Sequence, residues 1–154
     1  MHESRHDNID ANIDIRTAPY AAFVLRLALG SMFIAHGLLK LMVFTPAGTV
    51  KFFESIGLPG PLAYAVIAAE LLGGAAILVG LHARWVAAGL VPVLLGAIYP
   101  HAANGWLFTA SGGGWEYPAF LAAAAMAQAL LGDGKFALVN ARAGVRANPA
   151  LQAV

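Results

Sequence analysis

The chain has 154 residues, of which 60% are hydrophobic and 11% charged, and its formal net charge is +1. Soluble domains carry about 25% charged residues, so the composition favours a single membrane domain, and the small net charge gives no reason to expect a nucleic-acid partner. The sequence contains no cysteine. This excludes thiol or disulfide chemistry, and cysteine-ligated zinc or iron–sulfur centres, on this chain.

The first 17 residues are polar and mixed in charge. They lack the basic stretch followed by a short apolar run that marks a signal peptide. We therefore predict a polar cytoplasmic tail over residues 1–17, a membrane domain over 18–138 and a flexible cytoplasmic tail over 139–154.

Four apolar segments match or approach the length of about 20 residues that a helix needs to cross a bilayer. They are residues 19–43, 61–81, 85–108 and 117–131. A soluble helical bundle is the alternative, but none of these segments has the polar face that such a bundle requires. The predicted fold class is therefore all-α, an integral membrane four-helix bundle.

The loop between the first two spans carries Val50, Phe53 and Ile56 at helical spacing, and Gly57 follows as a stop signal. This pattern predicts a short helix that lies in the membrane interface.

Four spans place both termini on one side of the membrane. Most of the basic residues outside the spans fall on that side, namely Arg5, Arg16, Arg84, Lys135, Arg142 and Arg146. Lys51 falls on the opposite side, and Lys40 lies near a helix end there. By the positive-inside rule, both termini are predicted to be cytoplasmic.

Small residues recur at spacings that bring helices together: Gly30 with Gly37, Ala69 with Gly73, and Gly89 with Gly96. We predict close helix contacts at all three pairs.

Ionisable residues inside a membrane span suggest a functional site. The candidates for ligand binding are Arg26, His36, Lys40, Glu70, His101 and Glu116. Arg26 and Glu70 are predicted to form an ion pair near the middle of the membrane, because each charge alone is costly there. A purely structural role for this pair is an equal alternative.

His36, Lys40, His101 and Glu116 are predicted to share the outer half of the membrane domain. Cationic donors and a carboxylate acceptor, with Trp106 and Trp115 nearby, suit a quinone head group or a small anion. Two alternatives stay open. Lys40 and Glu116 can simply extend into headgroup water, and His36 with His101 and a carboxylate could bind a metal ion. No ligand-spacing motif supports the metal site, so none is predicted.

Several motifs in a fixed order resemble the DoxX family of small bacterial membrane proteins: LRLALGSMFIAHGLLKL, FFESIGLP, AAELLGGAAILVGLHARWVA, HAANGW, GGWEYP and GDGKFAL. The resemblance covers about Tyr20 to Leu138. It implies a four-helix bundle in the bacterial inner membrane and membership of a family assigned to the oxidoreductases, with relatives in thiosulfate:quinone oxidation and in oxidative-stress defence.

Two functional hypotheses follow from the residues and the resemblance together. In the first, the chain is a quinone-interacting subunit of a membrane redox system. In the second, it is a non-catalytic membrane scaffold or a small-solute transport element. The expected partners are the lipid bilayer, soluble redox enzymes or further copies of the chain. The sequence shows no nucleotide, flavin or haem motif, which argues against independent catalysis. Because it contains no cysteine, a thiol relay would need a partner to supply the thiols.

Overall fold

The computed structural model describes residues 14–140. Within this range the chain is helical and has no strand. The elements are α1 (Ala18–Leu38), which continues into a π-helical turn (Leu39–Val43), α2 (Pro46–Ser55), α3 (Leu62–Val79), α4 (Ala83–His101), which continues into a 3-10 turn (Ala102–Asn104), and α5 (Glu116–Leu131). The all-α prediction is confirmed. Residues 1–13 and 141–154, with most of the two predicted tails and with Arg5, Arg142 and Arg146, lie outside the described residues.

Three of these helices are long and apolar enough to cross a membrane: Ala18–Val43, Leu62–Val79 and Ala83–Asn104. α5 occupies the place of the fourth predicted span, but it has only 16 residues, or about 24 Å of helix. The third span is shorter than predicted. Its helical turns end at Asn104 because Gly105 follows with a φ of 84°.

The bundle consists of α1, α3, α4 and α5, which run up and down in turn. α1 packs mainly against α3, and α4 packs mainly against α5, while contacts of α3 with α4 and of α1 with α5 close the ring. The core contains Leu29, Phe33, Ile77 and Leu90. Large apolar side chains such as Leu72 and Leu130 point outward, as expected for the lipid-facing surface of a membrane bundle.

Two of the three predicted small-residue contacts are confirmed. A Cβ on Gly30 would lie 2.9 Å from the Gly74 carbonyl oxygen, and one on Gly73 would lie 2.9 Å from Leu90 Cδ1. The prediction for Gly89 and Gly96 is wrong for the described chain, because an added Cβ at either position meets nothing within 4 Å. The face of α4 that enters the core carries its buried residues instead, Ala83, Ala87, Leu90 and Leu94.

The described chain begins and ends at the same end of the bundle, called here the terminal end. Lys135 N donates to the Pro19 carbonyl oxygen at 2.8 Å, and Val139 N donates to that of Gly80 at 3.4 Å. These bonds bring the start of α1, the turn between α3 and α4, and the segment after α5 together. The opposite end carries α2 and the loop 102–115.

The predicted short helix is present as α2, which packs on α3 and on the π-helical turn. Thr45 adopts a positive φ of 62°, and its hydroxyl oxygen accepts a hydrogen bond from Gly48 N at 3.2 Å. This N-cap fixes the sharp change of direction between the π-helical turn and α2.

Candidate functional site

Lys40 and Glu70 form an ion pair between α1 and α3. Lys40 Nζ lies 2.8 Å from Glu70 Oε1 and 2.9 Å from Oε2. The Glu70 side chain is 8% exposed and that of Lys40 is 22% exposed. Pairing makes both charges tolerable within an apolar bundle, where either one alone would be costly.

The predicted pairing of Arg26 with Glu70 is therefore wrong, and the register between α1 and α3 explains why. Gly37 lies opposite Leu71, and Arg26 lies opposite Gly80. Glu70 is ten positions away from Gly80 along α3, or about 15 Å at the helical rise. Side chains on a helix also point back toward its N-terminus. This direction carries Lys40 toward Glu70 and carries Arg26 away from it.

Arg26 instead lies at the terminal end, where it is 1% exposed. Its Nη1 donates to the Asp133 carbonyl oxygen at 3.0 Å, and its Nη2 donates to that of Lys135 at 3.2 Å. The guanidinium also lies over the Phe23 ring, 5.3 Å from its centroid. These contacts give Arg26 a structural role, which is to hold the segment after α5 against α1.

The π-helical turn places Lys40. Phe44 N donates to the Leu39 carbonyl oxygen at 2.9 Å, the five-residue spacing that defines such a turn. π-helical turns are rare and are frequent at functional sites. The buried Thr49 hydroxyl donates to the Thr45 carbonyl oxygen at 2.9 Å. The same hydroxyl lies 3.4 Å from the Lys40 carbonyl oxygen. α2 is thereby held against the turn that carries Lys40.

His36 lies one turn before Lys40 on α1 and at the depth of Glu70, because the adjacent residues Gly37 and Leu71 are in contact. Its Nδ1 lies 2.8 Å from the Met32 carbonyl oxygen. Since a carbonyl oxygen only accepts hydrogen bonds, Nδ1 carries a proton, and Nε2 of the neutral ring is an acceptor. In the neutral ring, Nδ1 is therefore the hydrogen-bond donor and Nε2 the acceptor.

Tyr117, in the first turn of α5, stacks on His36 with 5.8 Å between ring centroids and 24° between ring planes. Its hydroxyl is buried and has no hydrogen-bond partner within residues 14–140. We call Lys40, Glu70, His36 and Tyr117 the polar cluster. Tyr117 does not stand out in the sequence as a site residue, because a tyrosine at a span end usually serves as an interfacial anchor.

His101 and Glu116 bind the loop 102–115 instead. His101 Nδ1 lies 3.1 Å from the carbonyl oxygens of both Gly112 and Gly113, and Glu116 Oε1 accepts a hydrogen bond from Phe108 N at 2.9 Å. Trp106 and Trp115 pack edge to face at the base of this loop, with 4.5 Å between their ring centroids. Of the six predicted site residues, the structure pairs Lys40 with Glu70, places His36 one turn from Lys40 and against Tyr117, assigns loop contacts to His101 and Glu116, and places Arg26 at the terminal end.

A helical bundle with three helices long and apolar enough to cross a membrane defines an integral membrane protein. The DoxX family model matches residues 21–109, more than half of the chain, and the chain belongs to the DoxX family. The resemblance drawn from the motifs is thus confirmed. The matched range includes Arg26, His36, Lys40 and Glu70 and ends before α5.

The chain is also similar to a protein of Bacillus subtilis (strain 168) named "Putative oxidoreductase CatD". The two are 43% identical over 75 residues, which make up 49% of this chain and 54% of that protein. The chain thus spans about half the length of this relative. No solved structure matches the chain.

Proposed function

We propose that this protein is a quinone-interacting subunit of a membrane redox system in the bacterial inner membrane. The observation that carries the proposal is the polar cluster, in which the Lys40–Glu70 ion pair and the His36–Tyr117 stack lie at a similar depth of an apolar bundle. The oxidoreductase name of the similar Bacillus subtilis protein supports a redox role. The non-catalytic scaffold or transport element remains the competing function that the experiments below test.

The cluster offers the groups that a quinone head group needs. A quinone presents carbonyl acceptors on an apolar ring. The Lys40 ammonium has three donor hydrogens, and its bonds to the two Glu70 oxygens leave one for a ligand. His36 Nε2 accepts a hydrogen bond from the hydroxyl of a quinol. Because the chain has no cysteine, a thiol relay to the quinone would need a partner that supplies the thiols.

We expect purified protein in lipid nanodiscs to bind a decyl-substituted benzoquinone and its reduced quinol. We expect His36→Phe to weaken the binding of the quinol about tenfold or more. The phenylalanine keeps an aromatic ring against Tyr117 but removes the Nε2 acceptor, and one hydrogen bond of about 1.4 kcal/mol corresponds to tenfold in affinity. Titration of the quinol under anaerobic conditions measures the change.

His101→Ala is the matched control, because His101 contacts the loop backbone and not the cluster. We expect this variant to bind the quinol like the wild type. Equal weakening by both substitutions would extend the site to the loop. Absence of quinone and quinol binding by the wild type would contradict the proposed function and favour the scaffold or transport alternative.

The orientation of the bundle is part of the proposal, with the terminal end in the cytoplasm. The natural lack of cysteine makes single-cysteine labelling direct. We expect Lys51→Cys and Ser111→Cys, at exposed positions of the opposite end, to react with a membrane-impermeant thiol reagent in spheroplasts. Lys135→Cys, exposed at the terminal end, should react only after the membrane is permeabilised. The reverse labelling pattern would overturn the orientation.

A further inference from the structure

The Tyr117 hydroxyl is a buried polar group in the first turn of α5. No residue of the described range, 14–140, forms a hydrogen bond with it. A buried hydroxyl without a partner costs free energy, and buried tyrosine hydroxyls usually find one. Such a group is therefore a candidate ligand contact.

The neighbours of Tyr117 have other contacts. The adjacent carboxylate of Glu116 accepts from Phe108 N, and His36 Nδ1 faces the Met32 carbonyl oxygen. Phenol and imidazole form hydrogen bonds in the planes of their rings. Because the Tyr117 and His36 rings stack with only 24° between their planes, the hydroxyl and Nε2 do not point at each other.

We infer that the Tyr117 hydroxyl contacts the ligand of the polar cluster and lets the site bind a quinone in both redox states; this inference rests on the proposed function. A phenol hydroxyl both donates and accepts hydrogen bonds, whereas the Lys40 ammonium only donates and the neutral His36 Nε2 only accepts. Tyr117 therefore donates to the carbonyl oxygen of a quinone and accepts from the hydroxyl of a quinol.

The test is Tyr117→Phe, which keeps the ring and its stack on His36 and removes only the oxygen. We expect the affinities for a decyl-substituted benzoquinone and for its quinol both to fall about tenfold, the equivalent of one hydrogen bond. His36→Phe, by contrast, should weaken the quinol more than the quinone. Tyr99→Phe is the matched control, because Tyr99 is exposed on α4. We expect this variant to bind the quinone and the quinol as tightly as the wild type does.

The stability of the ligand-free protein provides a second measurement. Since the hydroxyl has no partner among the described residues, Tyr117→Phe should leave the melting temperature unchanged or raise it. A fall in melting temperature together with a fall in affinity would make the hydroxyl a structural group and overturn the inference. Unchanged quinone and quinol binding by Tyr117→Phe would overturn the inference alone. A wild type that binds neither compound would overturn both the inference and the proposed function.

Discussion

Replacing Glu70 with glutamine is expected to lower the free energy of unfolding by about 3 kcal/mol, near the lower end of the range for broken buried ion pairs. The substitution leaves the Lys40 ammonium inside the bundle without its carboxylate. Lys40 is 22% exposed, so its side chain can reorient partly toward the interface, which keeps the loss at that lower end. Denaturant unfolding in detergent micelles measures the change.

A double replacement separates the cost of an unpaired buried charge from the cost of altered side-chain packing at Lys40 and Glu70. Lys40→Met with Glu70→Met removes both charges, so we expect it to be more stable than Glu70→Gln, as found when buried ion pairs are replaced by apolar residues. Lys51→Met, at an exposed position of α2, is the control and should change stability by less than about 0.5 kcal/mol. If the effects of Lys40→Met and Glu70→Met simply add in the double variant, the two residues are not coupled.

The membrane helices were largely predictable, because a helix that crosses the bilayer needs a run of about 20 mostly apolar residues. The predicted first span, 19–43, and the helical stretch Ala18–Val43 nearly coincide. The register between helices is different, since it depends on which residues permit close approach. Gly30 against Gly74 and Gly37 against Leu71 set the depth of every other residue on α1. Without that register, the sequence predicts a pair of Arg26 with Glu70, whereas Arg26 donates to backbone carbonyl oxygens at the terminal end.

The sequence predicts which residues belong to the candidate site better than it predicts the contacts that they make. His36, Lys40 and Glu70 stand out because ionisable residues are rare in apolar spans. Tyr117 does not stand out, because tyrosine is common at span ends. The contacts of His101 depend on loop carbonyls oriented by Gly112 and Gly113, whose φ values are 82° and 76°. A glycine-rich sequence permits such a conformation but does not specify it.

The revised position of Arg26 gives the second large expected effect, at Gly80. This glycine ends α3 with a φ of 75°, and a Cβ there would meet Arg26 Nη1 and lie 2.6 Å from Ala137 Cα. The left-handed conformation costs a non-glycine residue about 1–2 kcal/mol, and overpacking adds about 1–3 kcal/mol. We therefore expect Gly80→Ala to lower the free energy of unfolding by about 2–5 kcal/mol.

Two other glycines separate these contributions. Gly57 has a φ of 80° with nothing within 4 Å of an added Cβ, and Gly89 is helical with equally open space. Gly57→Ala should show the conformational cost alone, while Gly89→Ala should cost nothing, because alanine favours the helix. The excess loss at Gly80 over Gly57 then measures the contacts with Arg26 and Ala137 together. If Gly80→Ala costs no more than Gly57→Ala, Arg26 does not pack against the end of α3, and the register that pairs Lys40 with Glu70 loses its support at the terminal end.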